Sequence, residues 1–502
     1  MTKLILAIDQ GTTGTRTYLF DHAGKVVGSA YQEFTQYFPK PGWVEHDAAE
    51  IWRTVESTGK KALKAAGVKP SSVAAIGITN QRETTVLWDR KTGKPIHRAI
   101  VWQCRRTAHR CDELKAQGKE KLFLTKTGLV LDAYFSGTKV EWLLQNVPGA
   151  AKKAAKGELA FGTIDSWLLW NLTGGKIHAT DYTNASRTLL FNIKTKEWDP
   201  ALLRTLHVPA SLLPKALASA SLFGKTSAKS YLGAGIPITG IAGDQQAALF
   251  GQGCHEPGTL KNTYGTGCFL LLNLGRKFLI SKNKLLTTLG CDGKGQPVYV
   301  LEGAVFIGGA AIQWIRDGLK LIKTSAESEK VAAQVTDTDG VYLVPAFVGL
   351  GAPYWDQHSR GALVGLTRGT QREHVVRATL ESMAYQTRDL VEAMLKDSHL
   401  KLRELRVDGG ASKNNLLMQF QADILKVRIN RPKGVETTAM GAAYLAGLQI
   451  GYWKNSAQIQ KIRRVDRVFS PKMKEETRKR LWAGWKQAVG QVLTKVKYFE
   501  TS

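Results

Sequence analysis

Leu4-Ile5-Leu6-Ala7-Ile8-Asp9-Gln10-Gly11-Thr12-Thr13-Gly14-Thr15-Arg16 opens the chain, and Ile238-Thr239-Gly240-Ile241-Ala242-Gly243-Asp244-Gln245-Gln246 ends its first half. Each is a short apolar run that stops at a carboxylate, the pattern of a buried strand with Asp9 or Asp244 at its end. After Asp9 the chain breaks into a Gly/Thr turn whose backbone N–H groups can face outward and cradle an anion. A carboxylate beside such a nest suits a Mg-nucleotide: the amides hold oxygens while the acid orients the metal's water shell. Gly and Thr after a strand also make ordinary hairpins, so the assignment depends on the motifs that accompany the turn.

A chain of 502 residues predicts roughly two to four domains with room for large cores. A hydrophobic fraction of 43% with 22% charged residues is that of a globular protein. Apolar runs fall short of the ~18 residues a membrane span needs, and Leu4–Ile8 is too short for a signal-peptide core. A cytoplasmic protein with no integral membrane segment is therefore expected. Cys104, Cys111, Cys254, Cys268 and Cys291 form no CxxC pair and are odd in number, which fits a reducing compartment. No HExxH or zinc-spaced Cys/His cluster occurs.

Net charge is +28, and residues 451–500 hold 13 basic against 4 acidic side chains. Lys461, Arg463, Arg464 and the basic residues of 472–480 precede Leu481, Trp482 and Trp485, so they are expected on the solvated face of a terminal amphipathic helix. With no RRM, KH, zinc-finger or basic-zipper pattern, no nucleic-acid partner is expected.

The order of elements alternates β and α. Strands at Leu4–Ile8, Thr17–Phe20 and Lys25–Ala30 form an antiparallel ribbon, followed by a helix over Ala48–Ala66 and a strand Ala74–Ile78 leading into Asn80-Gln81-Arg82-Glu83. The ribbon recurs at Thr259–Leu270 with a Gly265-Thr266-Gly267 turn, and Arg406-Val407-Asp408-Gly409-Gly410 is a further strand leading to a helix from Asn415. Val376, Leu380, Met383, Leu390 and Met394 give the helix Glu373–Lys396 a core-facing stripe. The pattern predicts two similar α/β halves, 1–250 and 251–502, with the phosphate turns facing a shared cleft that closes on its ligands. There is no GxGxxG behind a strand, and Gly224-Lys225-Thr226 has Ser219 where a P-loop requires glycine and no strong strand before it.

Taken together, the motifs resemble those of the FGGY carbohydrate kinase family, within the actin/hexokinase/Hsp70 superfamily, nearly end to end. They are Asp9-Gln10-Gly11-Thr12-Thr13, Pro41-Gly42-Trp43-Val44-Glu45-His46-Asp47, Asn80-Gln81-Arg82-Glu83-Thr84-Thr85 and Gly243-Asp244-Gln245-Gln246 through Gly251. Tyr134-x-Ser136-x-x-Lys139-x-x-Trp142 is similar to the first family signature. Gly361-x-Leu363-x-Gly365-Leu366 with His374 through Glu381 is similar to the second. The resemblance implies two ribonuclease H-like, actin-like ATPase domains closing on ATP and glycerol. It implies a homo-oligomer, dimer or tetramer, as well.

A small polyol offers only hydroxyls and short methylene edges, so its site needs charged hydrogen-bonding groups and an apolar wall. Arg82 and Glu83, adjacent at a strand end, supply a donor fork and an acceptor. By resemblance Tyr134, Asp244 and Gln245 complete the polar set, Trp102 and Phe269 flank the carbons, and Asp244 is the general base. The resemblance also puts Thr12, Thr13, Gly14 and Arg16 on the phosphates. It puts Thr266, Gly309, Gln313, Gly410 and Asn414 on the nucleotide, and Asp9 with Asp244 at Mg²⁺. Gly308-Gly309 and Gly409-Gly410 suit close approach of backbone to ligand. One departure is Gly14, where many relatives carry Ser.

Alternatives are another FGGY polyol, pentulose or aldonate kinase, a non-catalytic actin-like nucleotide switch, or a basic interaction protein on a kinase scaffold. The Arg82-Glu83 pair and Asp244 oppose the last two. Some relatives are inhibited by fructose 1,6-bisphosphate, or activated by histidine phosphorylation, in the stretch before the Asp-Gln-Gln strand. Here Thr226–Ile236 contains neither arginine nor histidine, only Lys229, so indifference to both regulators is expected.

Overall fold

In the computed structural model, which describes residues 3–434 and 436–494, the β/α alternation resolves into two large mixed sheets. The first has the strand order 220–225, 237–243, 73–80, 4–10, 14–20, 26–33. The second runs 286–291, 297–305, 268–275, 260–264, 404–408, 428–432, 465–469. Both contain the same unit. An antiparallel ribbon (4–10, 14–20, 26–33 in one, 260–264, 268–275, 297–305 in the other) pairs through its first strand, in parallel, with one further strand (73–80 or 404–408), which pairs in parallel with another (237–243 or 428–432). The recurrence read from the Gly-Thr turns is thus a duplicated fold. Parallel pairing aligns Gln10 and Gly243 with Asn80, so the motif loops leave the first sheet along one edge.

Local sequence explains the helices. Asp47 caps Ala48–Ala66 by accepting from the Ala49 N–H at 2.8 Å, and Gly67 ends it at φ 66°. The long helix Arg372–Ser398 buries its whole predicted stripe, with Val376, Leu380, Met383, Leu390 and Met394 all in the second core.

Two expectations need correction. The terminal helix Glu475–Val492 does bury Leu481 and Trp485, but Lys461 belongs to a separate helix, Ser456–Ile462. Arg463 follows in extended backbone and donates to Gln252 Oε1 at 2.9 Å, because 465–469 leaves to pair with 428–432 as an edge strand. Likewise Gly224-Lys225, before which no strong strand was expected, ends the edge strand Ala220–Lys225.

The helix Thr437–Gln449 returns from the second half to lie on the first sheet. A Cβ at Gly77 would stand 2.3 Å from the Ala442 carbonyl oxygen, and Thr239 Oγ1 donates to the Ala446 carbonyl at 3.0 Å. Ile5, Ala75, Ala242 and Phe250 consequently share a core with Ala439, Tyr444 and Trp453. The two sheets fall on either side of residue 250, while this core draws on both. Among the described residues no helix is long and apolar enough to cross a membrane, and the five cysteines are free and buried.

Candidate active site

Arg82 and Glu83 follow the strand 73–80 and are buried, at 3% and 1% exposure. Asp244 opens the helix after the neighbouring parallel strand, which puts its Oδ1 3.2 Å from Arg82 Nε. Both η nitrogens of Arg82 clasp Glu302, at 2.6 and 3.0 Å. Glu302 comes from the second sheet, so this contact spans the two halves. Arg187 donates from Nε to Glu83 at 2.6 Å and from Nη2 to Glu302 at 3.1 Å.

Burial by itself would raise the Glu302 carboxyl, but Arg187 and Arg82 outweigh it and hold the group down at about 2. Glu83 receives a single strong bond, and burial raises it despite Arg187 and Arg82. Glu83 also adopts φ 59°, a conformation side chains rarely take and one that concentrates at functional sites.

The stretch Tyr134–Trp142 supports this pair physically. Ser136 Oγ donates to the Glu83 carbonyl at 2.9 Å, and the buried Lys139 ammonium donates to the Tyr134 carbonyl at 2.6 Å. Tyr134 meets Trp102 edge-on at 5.4 Å, and Trp102 Nε1 donates to Thr12 Oγ1 at 3.0 Å, joining the aromatic wall to the Gly/Thr turn. Phe269 pairs with Ala304 and Leu271 with Glu302, so Phe269 shares a sheet face with Glu302. Gln245 donates its backbone N–H to Asp244 at 2.7 Å and accepts from Lys261 Nζ at 2.5 Å.

The predicted set therefore gathers, with three additions that no motif announced: Arg187, Lys261 and Glu302. The readable signal for the last two was a charge inside an apolar strand, at Leu260-Lys261-Asn262 and Val300-Leu301-Glu302-Gly303-Ala304-Val305.

At the other end of the site, the Gly11 N–H closes the turn onto the Gly14 carbonyl at 2.9 Å, leaving Thr13 exposed and Thr12 half-buried. A Cβ on Gly14 would come within 2.5 Å of the exposed Tyr31 ring. Arg16 lies over Tyr31 at 4.9 Å and 4.0 Å from Glu436. The Asp9 carboxyl is still reached by solvent but densely surrounded. Burial, against Arg16 and with Asp244 and Glu436, pushes it up to about 7. A carboxylate so placed fits a cation. Among the described residues no cage of His, Cys, Asp or Glu exists, so Mg²⁺ here would complete its shell with water and phosphate oxygens, its usual habit.

Thr266 and Gly309 are contiguous: the Gly308 and Ala310 N–H groups donate to the Thr266 carbonyl at 2.9 and 3.0 Å. Gln313 lies one turn along that helix and is exposed. For Gly309 and Gly409 the reason differs from the one expected. Cβ atoms at Gly309 and Gly409 would strike protein backbone, Gly265 O at 2.7 Å and Tyr264 O at 2.4 Å, whereas Gly410 faces open space. Asn414 caps the helix Asn415–Leu425 by accepting from the Leu417 N–H at 2.9 Å.

Comparison with known proteins accords with this geometry. Residues 4–251 match the N-terminal domain, and 260–450 the C-terminal domain, of the FGGY family of carbohydrate kinases. The chain is 60% identical to the glycerol kinase of Caldanaerobacter subterraneus subsp. tengcongensis over 98% of its own length and 99% of that protein. It is 58% identical to glycerol kinase 2 of Thermotoga maritima at the same coverage. The crystal structure of Plasmodium falciparum glycerol kinase with ADP superposes with a TM-score of 0.93 at 38% identity, covering 99% of each chain. With matching domains along most of its length and relatives of this identity, the chain belongs to the FGGY family of carbohydrate kinases.

Proposed function

We propose that this protein transfers the γ-phosphoryl group of ATP to the 3-hydroxyl of glycerol, giving sn-glycerol 3-phosphate, a step of glycerol uptake and catabolism. One observation carries the reading. Arg82, Glu83 and Asp244 converge beside the Trp102–Tyr134 wall in a chain that matches glycerol kinases over nearly its full length.

In this reading Arg82, Glu83, Tyr134 and Gln245 hold the hydroxyls while Trp102 and Phe269 flank the carbons. Asp244, oriented by Arg82 at 3.2 Å, accepts the proton as the hydroxyl attacks in line. Phosphoryl transfer depends chiefly on positioning and charge neutralisation, so the base contributes only about 10²–10⁴-fold. Thr12, Thr13, Gly14 and Arg16 hold phosphates; Thr266, Gly309, Gln313, Gly410 and Asn414 hold the nucleotide. Asp9, with Asp244 nearby, would hold Mg²⁺ through water, and the ion would neutralise phosphate charge.

Residues 1–250 then form the glycerol- and phosphate-binding domain, and 251–502 the nucleotide domain. Five free, buried thiols favour a cytoplasmic setting. The family resemblance favours a dimer or tetramer, which light scattering tests. The function is tested by a coupled assay of ATP consumption on glycerol, xylulose, ribulose and gluconate. Glycerol should dominate, and equal kcat/KM on a pentulose or on gluconate would overturn the assignment.

A further inference from the structure

We infer that Arg187 and Glu302 are positioning residues that decide which atoms of Arg82 and Glu83 face the polyol; this rests on the assignment of that pair as the polyol clamp. Arg187 is fully buried and reaches three parts of the wall. It donates to Glu83 Oε1 and to Glu302 Oε1, and its guanidinium lies 5.6 Å from the Tyr134 ring. Glu302 takes both η nitrogens of Arg82.

Arg82 and Glu83 are neighbours of opposite charge only 3.8 Å apart, and by themselves they would close onto each other. The outer pair prevents this. Glu83 is anchored through Oε1, and its Oε2 has no donor among the described residues. Arg82 is anchored through its η nitrogens, which leaves its ε edge toward Asp244. Two guanidinium and two carboxylate groups balance to zero charge, yet burying them is a poor route to stability, since well-packed apolar side chains do as well or better. Their geometric return is an acceptor oxygen of Glu83 left open beside an Arg82 whose ε edge faces Asp244. Glu302 stands on the second sheet, so the clamp is complete only with both halves in contact.

Steady-state kinetics of Glu302→Gln, Arg187→Met and Arg187→Lys test this, with Arg82→Ala as control. Glu302→Gln keeps the shape but removes the negative charge and replaces one acceptor oxygen with a donor; it should raise KM for glycerol ~10–100-fold and move KM for ATP less than ~3-fold. Arg187→Lys should restore part of what Arg187→Met loses.

The pH profile supplies a second readout. Glu83 is faced by Arg82, Arg187, Glu302, Tyr134 and Lys139. Removing the Arg187 cation lets burial raise Glu83 further, so kcat/KM for glycerol in Arg187→Met should recover toward alkaline pH. A lowered Tm with wild-type glycerol KM in Glu302→Gln, or equal rises in both KM values, would overturn the inference. An unchanged glycerol KM in Arg82→Ala would instead sink the clamp assignment itself.

Discussion

Asp244 and Asp9 are both strand-end carboxylates, yet their surroundings differ. Asp244 has Arg82 at 3.2 Å and the Gln245 N–H at 2.7 Å, which hold it in one orientation beside the clamp. Asp244→Asn should lower kcat on the order of 10²-fold or more while glycerol still binds, measured by turnover and by calorimetric titration. Among the described residues Asp9 has no such anchor, and it is raised to about 7 from 3.8, first by burial. Because its folded pKa exceeds the unfolded one, the stability it lends the ligand-free protein is present below 3.8 and lost as pH rises through about 7. Binding of Mg-nucleotide favours the ionised form, so affinity should rise as pH passes upward through about 7. Titrations in buffers of differing ionisation heat should show proton release below that pH, and Asp9→Asn should show none.

Elements whose signals are local could be read directly. Asp47 and Gly67 bracket Ala48–Ala66, and the stripe from Val376 to Met394 needs only the period of a helix. The docking of Thr437–Gln449 on the first sheet had no such signal, since it depends on Gly77 and Gly240 leaving room for a helix backbone. Gly77→Ala should therefore destabilise by about 1–3 kcal/mol in urea unfolding, with little change in either KM. The stretch Thr226–Ile236 makes a different prediction. Tyr231 packs against Gly59 and Trp52, while Lys229 stands exposed as a point charge. Two phosphate groups need several donors, so millimolar fructose 1,6-bisphosphate should leave the rate unchanged. Inhibition abolished by Lys229→Ala would show a site built another way.

At the scale of the molecule, the charge of +28 acts on the substrates unequally. A cationic surface attracts an anionic nucleotide from beyond contact distance and leaves a neutral polyol unaffected, and salt screens the attraction within ~10 Å at 0.1 M. Raising ionic strength should therefore increase KM for ATP and leave KM for glycerol nearly constant. Parallel shifts in both constants would separate the charge from substrate capture.

The sequence alone determined the family, the duplicated α/β plan and the candidate site residues, because those reside in contiguous strings: Asp9 through Thr13, Gln81 through Thr84, Gly243 through Gln246. A turn, a strand end and a reacting group lie within a few residues there, so short-range stereochemistry suffices. The tertiary structure decided what holds those groups in place. Arg82 and Glu302 are 220 residues apart, and Arg187 is 104 from Glu83 and 115 from Glu302. Their meeting follows from strand register in two sheets and from the contact between the halves. At the residues concerned the sequence carries only a lone charge in an apolar strand at Glu302 and no motif at Arg187, so the proposed clamp could be read from its contiguous string and the pairing of its anchors could not.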